Sequence, residues 1–225
     1  SLELKYVEYL PMRPVEVETV AALSDEEVSR RMRDAVVSIF ESMKGRKANK
    51  KMSRGEDDPV SLFRMYDAAD EFQALLFETG SWLAGSYMLQ TIVGEIYDDS
   101  DIDIFCPSTK LLRLMGFFHE RGGAGYDIRG TDTSYRLNSL QGVVDIDFHG
   151  KKVQLISVDK RNISKYIDEV FDLSFCKARF DGVRVLPEDL TDICNKRGTL
   201  NHRYGNRSHT RVLKYEERGY TISVV

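Results

Sequence analysis

Residues 85–105 read Gly-Ser-Tyr-Met-Leu-Gln-Thr-Ile-Val-Gly-Glu-Ile-Tyr-Asp-Asp-Ser-Asp-Ile-Asp-Ile-Phe, and the two ends of that stretch do different chemistry. At the first end, Gly85 permits close backbone approach and Ser86 offers a hydroxyl beside the free N–H groups of a helix start, a common way of holding a polyphosphate tail. At the second end, Asp101 and Asp103 stand two apart in a strand-like run, so both carboxylates project from one face while Ile102 and Ile104 point into a core. Two carboxylates on one rigid face at a strand end suit hard divalent ions. Such ions activate an attacking hydroxyl and hold the phosphates of a leaving group in line. One end thus binds phosphate and the other binds the metals that bridge to it. Each signal alone has a plain alternative, a helix cap for Gly-Ser and a solvated strand edge for Asp-x-Asp. An EF-hand is excluded, because with Asp99 as the first loop position the obligatory Gly falls on Ile104 and the closing Glu on Lys110. No GxxxxGK[ST] run occurs, which excludes a P-loop.

Upstream, Ser24-Asp25-Glu26-Glu27 forms a capping box, followed at helical spacing by Val28, Met32, Ala35, Val36, Ile39, Phe40 and Met43 up to Gly45. Residues 44–58 carry six basic side chains and read either as a solvated loop or as a phosphate-binding loop. Asp58-Pro59 opens a second helix, with Leu62, Phe63, Tyr66, Phe72, Leu75 and Leu76 as its expected buried set. Downstream, short apolar runs at Trp82–Ala84 and Ile102–Phe105 alternate with brief helices at Tyr87–Val93 and Thr109–Glu120. Three candidate strands follow, Ser134–Asn138, Val143–Phe148 and Lys152–Val158, the last two joined by a tight turn at His149-Gly150. A short helix near Ser164–Val170 precedes a candidate strand at Asp172–Phe180, an Asp181-Gly182 turn, a strand at Val183–Leu186 and a helix opened by Pro187. The order predicts an α+β fold, a mixed β-sheet with flanking helices, an N-terminal helical segment and C-terminal helices. Residues 1–79 would supply an arm and two helices, 80–186 the core and 187–225 the C-terminal helical segment, all within one continuous unit.

Together the Gly-Ser turn, the short helix and the Asp-x-Asp strand, GSYMLQTIVGEIYDDSDIDIF, resemble the nucleotidyltransferase fold of the DNA polymerase beta-like superfamily. The resemblance implies a metal-dependent nucleotidyltransferase that moves a nucleoside monophosphate from an NTP to an acceptor hydroxyl. Asp101 and Asp103 would hold Mg²⁺ or Mn²⁺, and Gly85 and Ser86 would bind the triphosphate. It also implies a third carboxylate on a following strand, where this sequence has Gln154 in Lys152-Val153-Gln154-Leu155-Ile156. An amide binds Mg²⁺ poorly and cannot accept a proton. Asp145 or Asp147, which share a face of the preceding strand, would then serve, with Asp147 as the expected third catalytic carboxylate beside Asp101 and Asp103. The alternative is a degenerate domain that binds nucleotide or RNA, or a protein partner, without turnover.

In the C-terminal segment Arg207, Arg211, Lys214 and Arg218 recur as one helical stripe, either a solvated face or a seat for phosphates. Arg211 and Lys214 are its expected nucleotide-binding residues, and the basic stretches 44–54 and 196–218 are expected RNA contacts. Arg121-Gly122-Gly123-Ala124-Gly125 reads as plain loop, with phosphate cradling as the alternative. The chain has 225 residues, 32 basic and 36 acidic, a net charge of −4, with 42% hydrophobic and 30% charged residues. That composition excludes collagen-like, mucin-like and wholly disordered classes. No apolar run reaches the ~18 residues of a membrane span, and no signal-peptide pattern opens the chain. Cys106, Cys176 and Cys194 read as free thiols in a reducing compartment, so a cytoplasmic location is expected.

Overall fold

The computed structural model describes residues 19–44, 59–129, 140–201 and 207–225. The first helix, α1 (Asp25–Ile39), starts where Ser24 Oγ accepts the Glu27 N–H at 3.2 Å. The other half of the expected capping box is diverted. The Glu27 carboxylate takes Arg30 at 2.6 Å and Arg31 at 2.9 Å, and those hydrogen bonds hold its pKa down at about 2. Met32, Val36, Ile39 and Phe40 form the buried stripe, as the spacing predicts.

The second helix, α2 (Pro59–Thr79), buries most of the expected set, with Leu62 partly buried against the core, but leaves Phe63 and Tyr66 outside. Phe72, Leu75 and Leu76 are buried, but Phe63 is 69% and Tyr66 47% exposed. Met65, Ala68 and Ala69 take their place, because the stripe 65, 68, 69, 72, 75, 76 keeps the i, i+3, i+4 period without a break. Small alanines there let α2 lie close to its neighbours, and the aromatics fall off the stripe.

After β1 (Trp82–Ala84) come α3 (Ser86–Val93), β2 (Ile102–Pro107), α4 (Leu111–Glu120), β3 (Ala124–Arg129), β4 (Leu140–Phe148) and β5 (Lys151–Val158). Next are α5 (Ile163–Val170), β6 (Arg179–Phe180), β7 (Val185–Leu186), α6 (Thr191–Cys194), β8 (Arg197–Leu200), α7 (Arg207–Glu217) and β9 (Thr221–Val224). Among the described residues seven strands form one sheet in the order β3-β4-β5-β2-β1-β6-β7. The β2–β5 pair is parallel and the other pairs are antiparallel, so the sheet is mixed and the fold is α+β, as expected.

Strand alternation gives the sheet two unlike faces. One carries Ile102, Ile104, Val144, Ile146, Phe148, Val153 and Leu155, buried in a single apolar cluster with residues of α1 to α4. Phe40, Phe72, Phe117, Phe118 and Phe148 meet there, mostly edge to face, with centroids 5.2–6.0 Å apart. On the other face Trp82, Ile156 and Val158 pack with Ile163, Tyr166 and Ile167, so α5 covers the half toward the C-terminal end of β2. The half at the N-terminal end of β2 is polar.

Several local expectations are corrected. Residues 121–125 are not all loop, since β3 begins at Ala124, and Arg121 is engaged by Glu71 and the Phe117 ring. Asp172–Phe180 is not one strand: a 3-10 turn at Ser174–Lys177 separates a single bridge at Leu173 from the two-residue strand Arg179–Phe180, with Asp172 tied to the C-terminal segment. The helix expected at Pro187 opens at Thr191, whose N–H is held by Asp189 Oδ1 at 2.9 Å. The C-terminal segment also carries a parallel strand pair, β8 with β9, beside its helices. The strand expected at Ser134–Asn138 lies outside the described residues, as does nearly all of the basic stretch 44–54. Both residues of the His149-Gly150 turn have positive φ, 54° and 85°, as a two-residue hairpin turn requires.

Candidate active site

The polar half of the second face is assembled by register. Asp103 of β2 stands beside Gln154 of β5, Gln154 beside Asp145 of β4, and Asp145 beside Asp127 of β3. On the other flank Ala84 of β1 pairs with Asp103, so the chain leaves β1 through Gly85 and enters α3 directly over that carboxylate. Gly85 is required there. Its φ is +76°, and a Cβ would lie 2.5 Å from Asp103 Oδ2. It caps α3 without a side chain, so no side chain occupies the N-terminal N–H groups from the cap position. Ser86 Oγ lies 3.0 Å from Ser100 Oγ, which draws the helix start onto the acidic loop before β2. The two sequence motifs, 14 residues apart, thus meet at one place.

Asp103 is the strained member of the set. Its Oδ1 is shielded from water and has no hydrogen-bond partner among the described residues. Burial raises its pKa most, and the charges of Asp101 and Asp145 raise it further against Lys152 and Arg211, so it is pushed up to about 7. Asp101 is half-buried beside it, with Lys152 Nζ 3.3 Å from its Oδ2. The same ammonium lies 3.6 Å from Asp145 Oδ2, and Gln154 Nε2 donates to Asp145 Oδ1 at 2.9 Å. Gln154 therefore separates Asp103 from Asp145 and satisfies one of them. Asp147 lies two register pairs farther out, opposite Lys152, exposed, with its Oδ1 accepting the Gly150 N–H at 2.7 Å. Of the two third-carboxylate candidates, Asp145 is the one that touches this set.

Lys214 of α7 and Arg218 just beyond its end face the same acidic loop. Arg211 pairs with the buried Asp172, which also accepts from Ser208 Oγ at 2.9 Å. Arg211 is also close enough to act on the charge of Asp103. Lys214 Nζ is 2.7 Å from Asp99 Oδ2, and Arg218 Nη2 is 2.6 Å from Asp99 Oδ1. The guanidinium of Arg218 stacks over Tyr97 at 4.0 Å. Lys214 and Arg218 hold Asp99 through charge-assisted bonds, and those to Lys214 lower its pKa most. The structure thus brings Gly85, Ser86, Asp101, Asp103, Arg211 and Lys214 to one region and leaves Asp147 at its rim. Sequence reasoning passed over Lys152, Asp99 and Asp172. Lys152 was within reach of strand alternation, since it shares a face with Gln154. Asp99 and Asp172 gain their roles only from contacts more than 35 residues away.

No protein-family model matches the chain, and no curated protein does. Among solved structures it is similar to a tRNA-processing enzyme in its apo form, with 10% identity and a TM-score of 0.48 over 78% of this chain and 46% of that one. It is similar also to a CCA-adding enzyme in complex with CTP, at 16% identity and a TM-score of 0.45 over 73% of this chain and 40% of that one. A Thermotoga maritima CCA-adding enzyme complexed with tRNA gives 16% identity and a TM-score of 0.46 over the same shares. This chain spans less than half the length of each.

Proposed function

We propose that this chain is a metal-dependent nucleotidyltransferase that moves a nucleoside monophosphate from an NTP to an acceptor hydroxyl on RNA. The observation that carries the reading is Asp103 Oδ1, buried without a partner among the described residues, beside Asp101 and under the helix start at Gly85-Ser86. A buried, unpaired carboxylate oxygen is costly, and a second carboxylate beside it adds to the cost. A divalent cation relieves both. Among the described residues no three His, Cys, Asp or Glu side chains form a ready metal cluster. That fits Mg²⁺, which uses one or two carboxylates and takes its other ligands from water and substrate phosphates.

Asp101 and Asp103 would hold the cation, which supplies Lewis-acid charge for the reacting phosphate and the attacking oxygen. The first-turn N–H groups of α3 and the Ser86 hydroxyl would bind the phosphate tail. Arg211 and Lys214 would add positive charge on the opposite side. Asp145, which accepts from Gln154 and lies 3.6 Å from the Lys152 ammonium, is the carboxylate that would take the acceptor proton. RNA is the acceptor class to test first, because the sequence offers the basic stretch 44–54.

A second reading, a nucleotide-binding module without turnover, is favoured by Lys152. Its ammonium bridges Asp101 and Asp145, and Gln154 stands where the resemblance implies an acid. Transfer of label from each α-labelled NTP to RNA, with Mg²⁺ or Mn²⁺, separates the two. The enzyme reading expects labelled RNA with the natural chain and none with Asp101→Ala, Asp103→Ala. Metal-dependent nucleotide binding without transfer to any acceptor would replace it with the binding module.

A further inference from the structure

Asp99 occupies a cationic clamp. Its two carboxylate oxygens take Lys214 at 2.7 Å and Arg218 at 2.6 Å, one oxygen for each cation. The clamp lies at the helix start, because Ser100, the next residue, is the one that Ser86 touches. Its two cations differ in burial. Arg218 is anchored, its side chain only 12% exposed and stacked over Tyr97, with Nη1 buried and unpartnered among the described residues. Lys214 is 41% exposed and Asp99 64% exposed, so their contact faces water.

An ion pair this exposed contributes little to stability. It does, however, set which anion the clamp accepts. A single carboxylate brings one negative charge and two oxygens. A polyphosphate brings several charges and a longer row of acceptors, and charge-assisted bonds from ammonium and guanidinium groups to phosphate are among the strongest available.

We infer that Asp99 is an internal competitor for polyphosphate: it holds Lys214 and Arg218 in the place of a phosphate chain, and a ligand with adjacent phosphates displaces it. Asp99 is then a specificity-determining residue, since a lone phosphate competes poorly with a carboxylate tethered beside the clamp, whereas a triphosphate prevails. This inference rests on the nucleotide reading above and locates the phosphate tail within it.

The test is titration calorimetry of inorganic tripolyphosphate, in EDTA and low salt, against the natural chain, Asp99→Asn, Lys214→Met and the double variant. Metal is left out so that binding does not depend on Asp101 and Asp103. The expected result is about fivefold tighter binding by Asp99→Asn and about fivefold weaker binding by Lys214→Met, with both effects shrinking as salt rises. The Lys214→Met loss should be larger in the Asp99→Asn background, where the lysine is released to the ligand. Unchanged or weaker binding by Asp99→Asn would overturn the inference and make the contact a structural staple. Absence of tripolyphosphate binding by all four proteins would also overturn it. That outcome differs from failure of the nucleotide reading, which is marked by the loss of metal-dependent NTP binding.

Discussion

Burial, and then the charge of Asp101, favour the protonated form of Asp103, whose carboxyl is raised from 3.8 to about 7. Between those two values the native chain keeps a proton that the unfolded chain has released. Stability therefore falls as pH rises through that window, and changes little from this group outside it. Asp103→Asn, studied without divalent metal, should remove that slope. In urea unfolding it should be more stable than the natural chain by about 4 kcal/mol at pH 8, and within error of it at pH 4. Identical pH profiles for the two proteins would show that Asp103 is not held in a hostile place. The neighbouring glycine makes a separate point. Gly85→Ala adds a Cβ at positive φ against Asp103 Oδ2 and should cost about 1–2 kcal/mol. It should also weaken nucleotide binding, which a thermal scan with and without NTP would reveal. At this scale much of the site was legible. Alternation along residues 101–104 placed both carboxylates on one face, and the Gly-Ser pair announced a helix start. Arg218 on Asp99 was not legible, because nothing local joins residues 119 positions apart.

Among the elements, α2 shows where periodicity and residue type disagree. Its aromatics Phe63 and Tyr66 suggest a core face by size, yet the stripe through Met65, Ala68, Ala69 and Phe72 is the buried one. Phe63→Ser should therefore change stability by less than about 0.5 kcal/mol, while Phe72→Ala should cost about 3–5 kcal/mol by opening a cavity among three phenylalanine rings. Equal losses in denaturant titrations would contradict the packing described. The strands β1, β2, β4 and β5 were legible because apolar alternation or short apolar runs marked them. β3 was hidden by its glycine-rich start, where turn chemistry outweighs strand propensity. Residues 172–180 misled in the opposite way. They have the composition of a strand, but Asp172 is withdrawn into contacts with Ser208 and Arg211, and the backbone turns at Ser174–Lys177.

Across the whole molecule, the C-terminal segment is what completes the site. Asp172 fastens α7 through Ser208 and Arg211, and at the far end Lys214 and Arg218 meet Asp99, so the helix lies along the acidic loop that leads into Asp101. Asp172→Ala leaves Arg211 without its buried partner and should cost about 3 kcal/mol, measured by urea unfolding. It should also loosen nucleotide binding, since Arg211 and Lys214 would no longer be aimed. The α+β class was legible from the order of elements. The docking of α7 was not, since a basic stripe reads equally well as a solvated face until its acidic partners are known. The central claim is that Asp101 and Asp103, under the helix start at Gly85-Ser86, hold a divalent cation and an NTP together. Its most direct test is the thermal stability of the purified chain with each NTP, with and without Mg²⁺ or Mn²⁺, because a ligand that binds only the folded state raises the melting temperature. A rise of several degrees is expected with NTP and metal together, absent in Asp101→Ala. No shift with any nucleotide and metal, or an equal shift in Asp101→Ala, would contradict it.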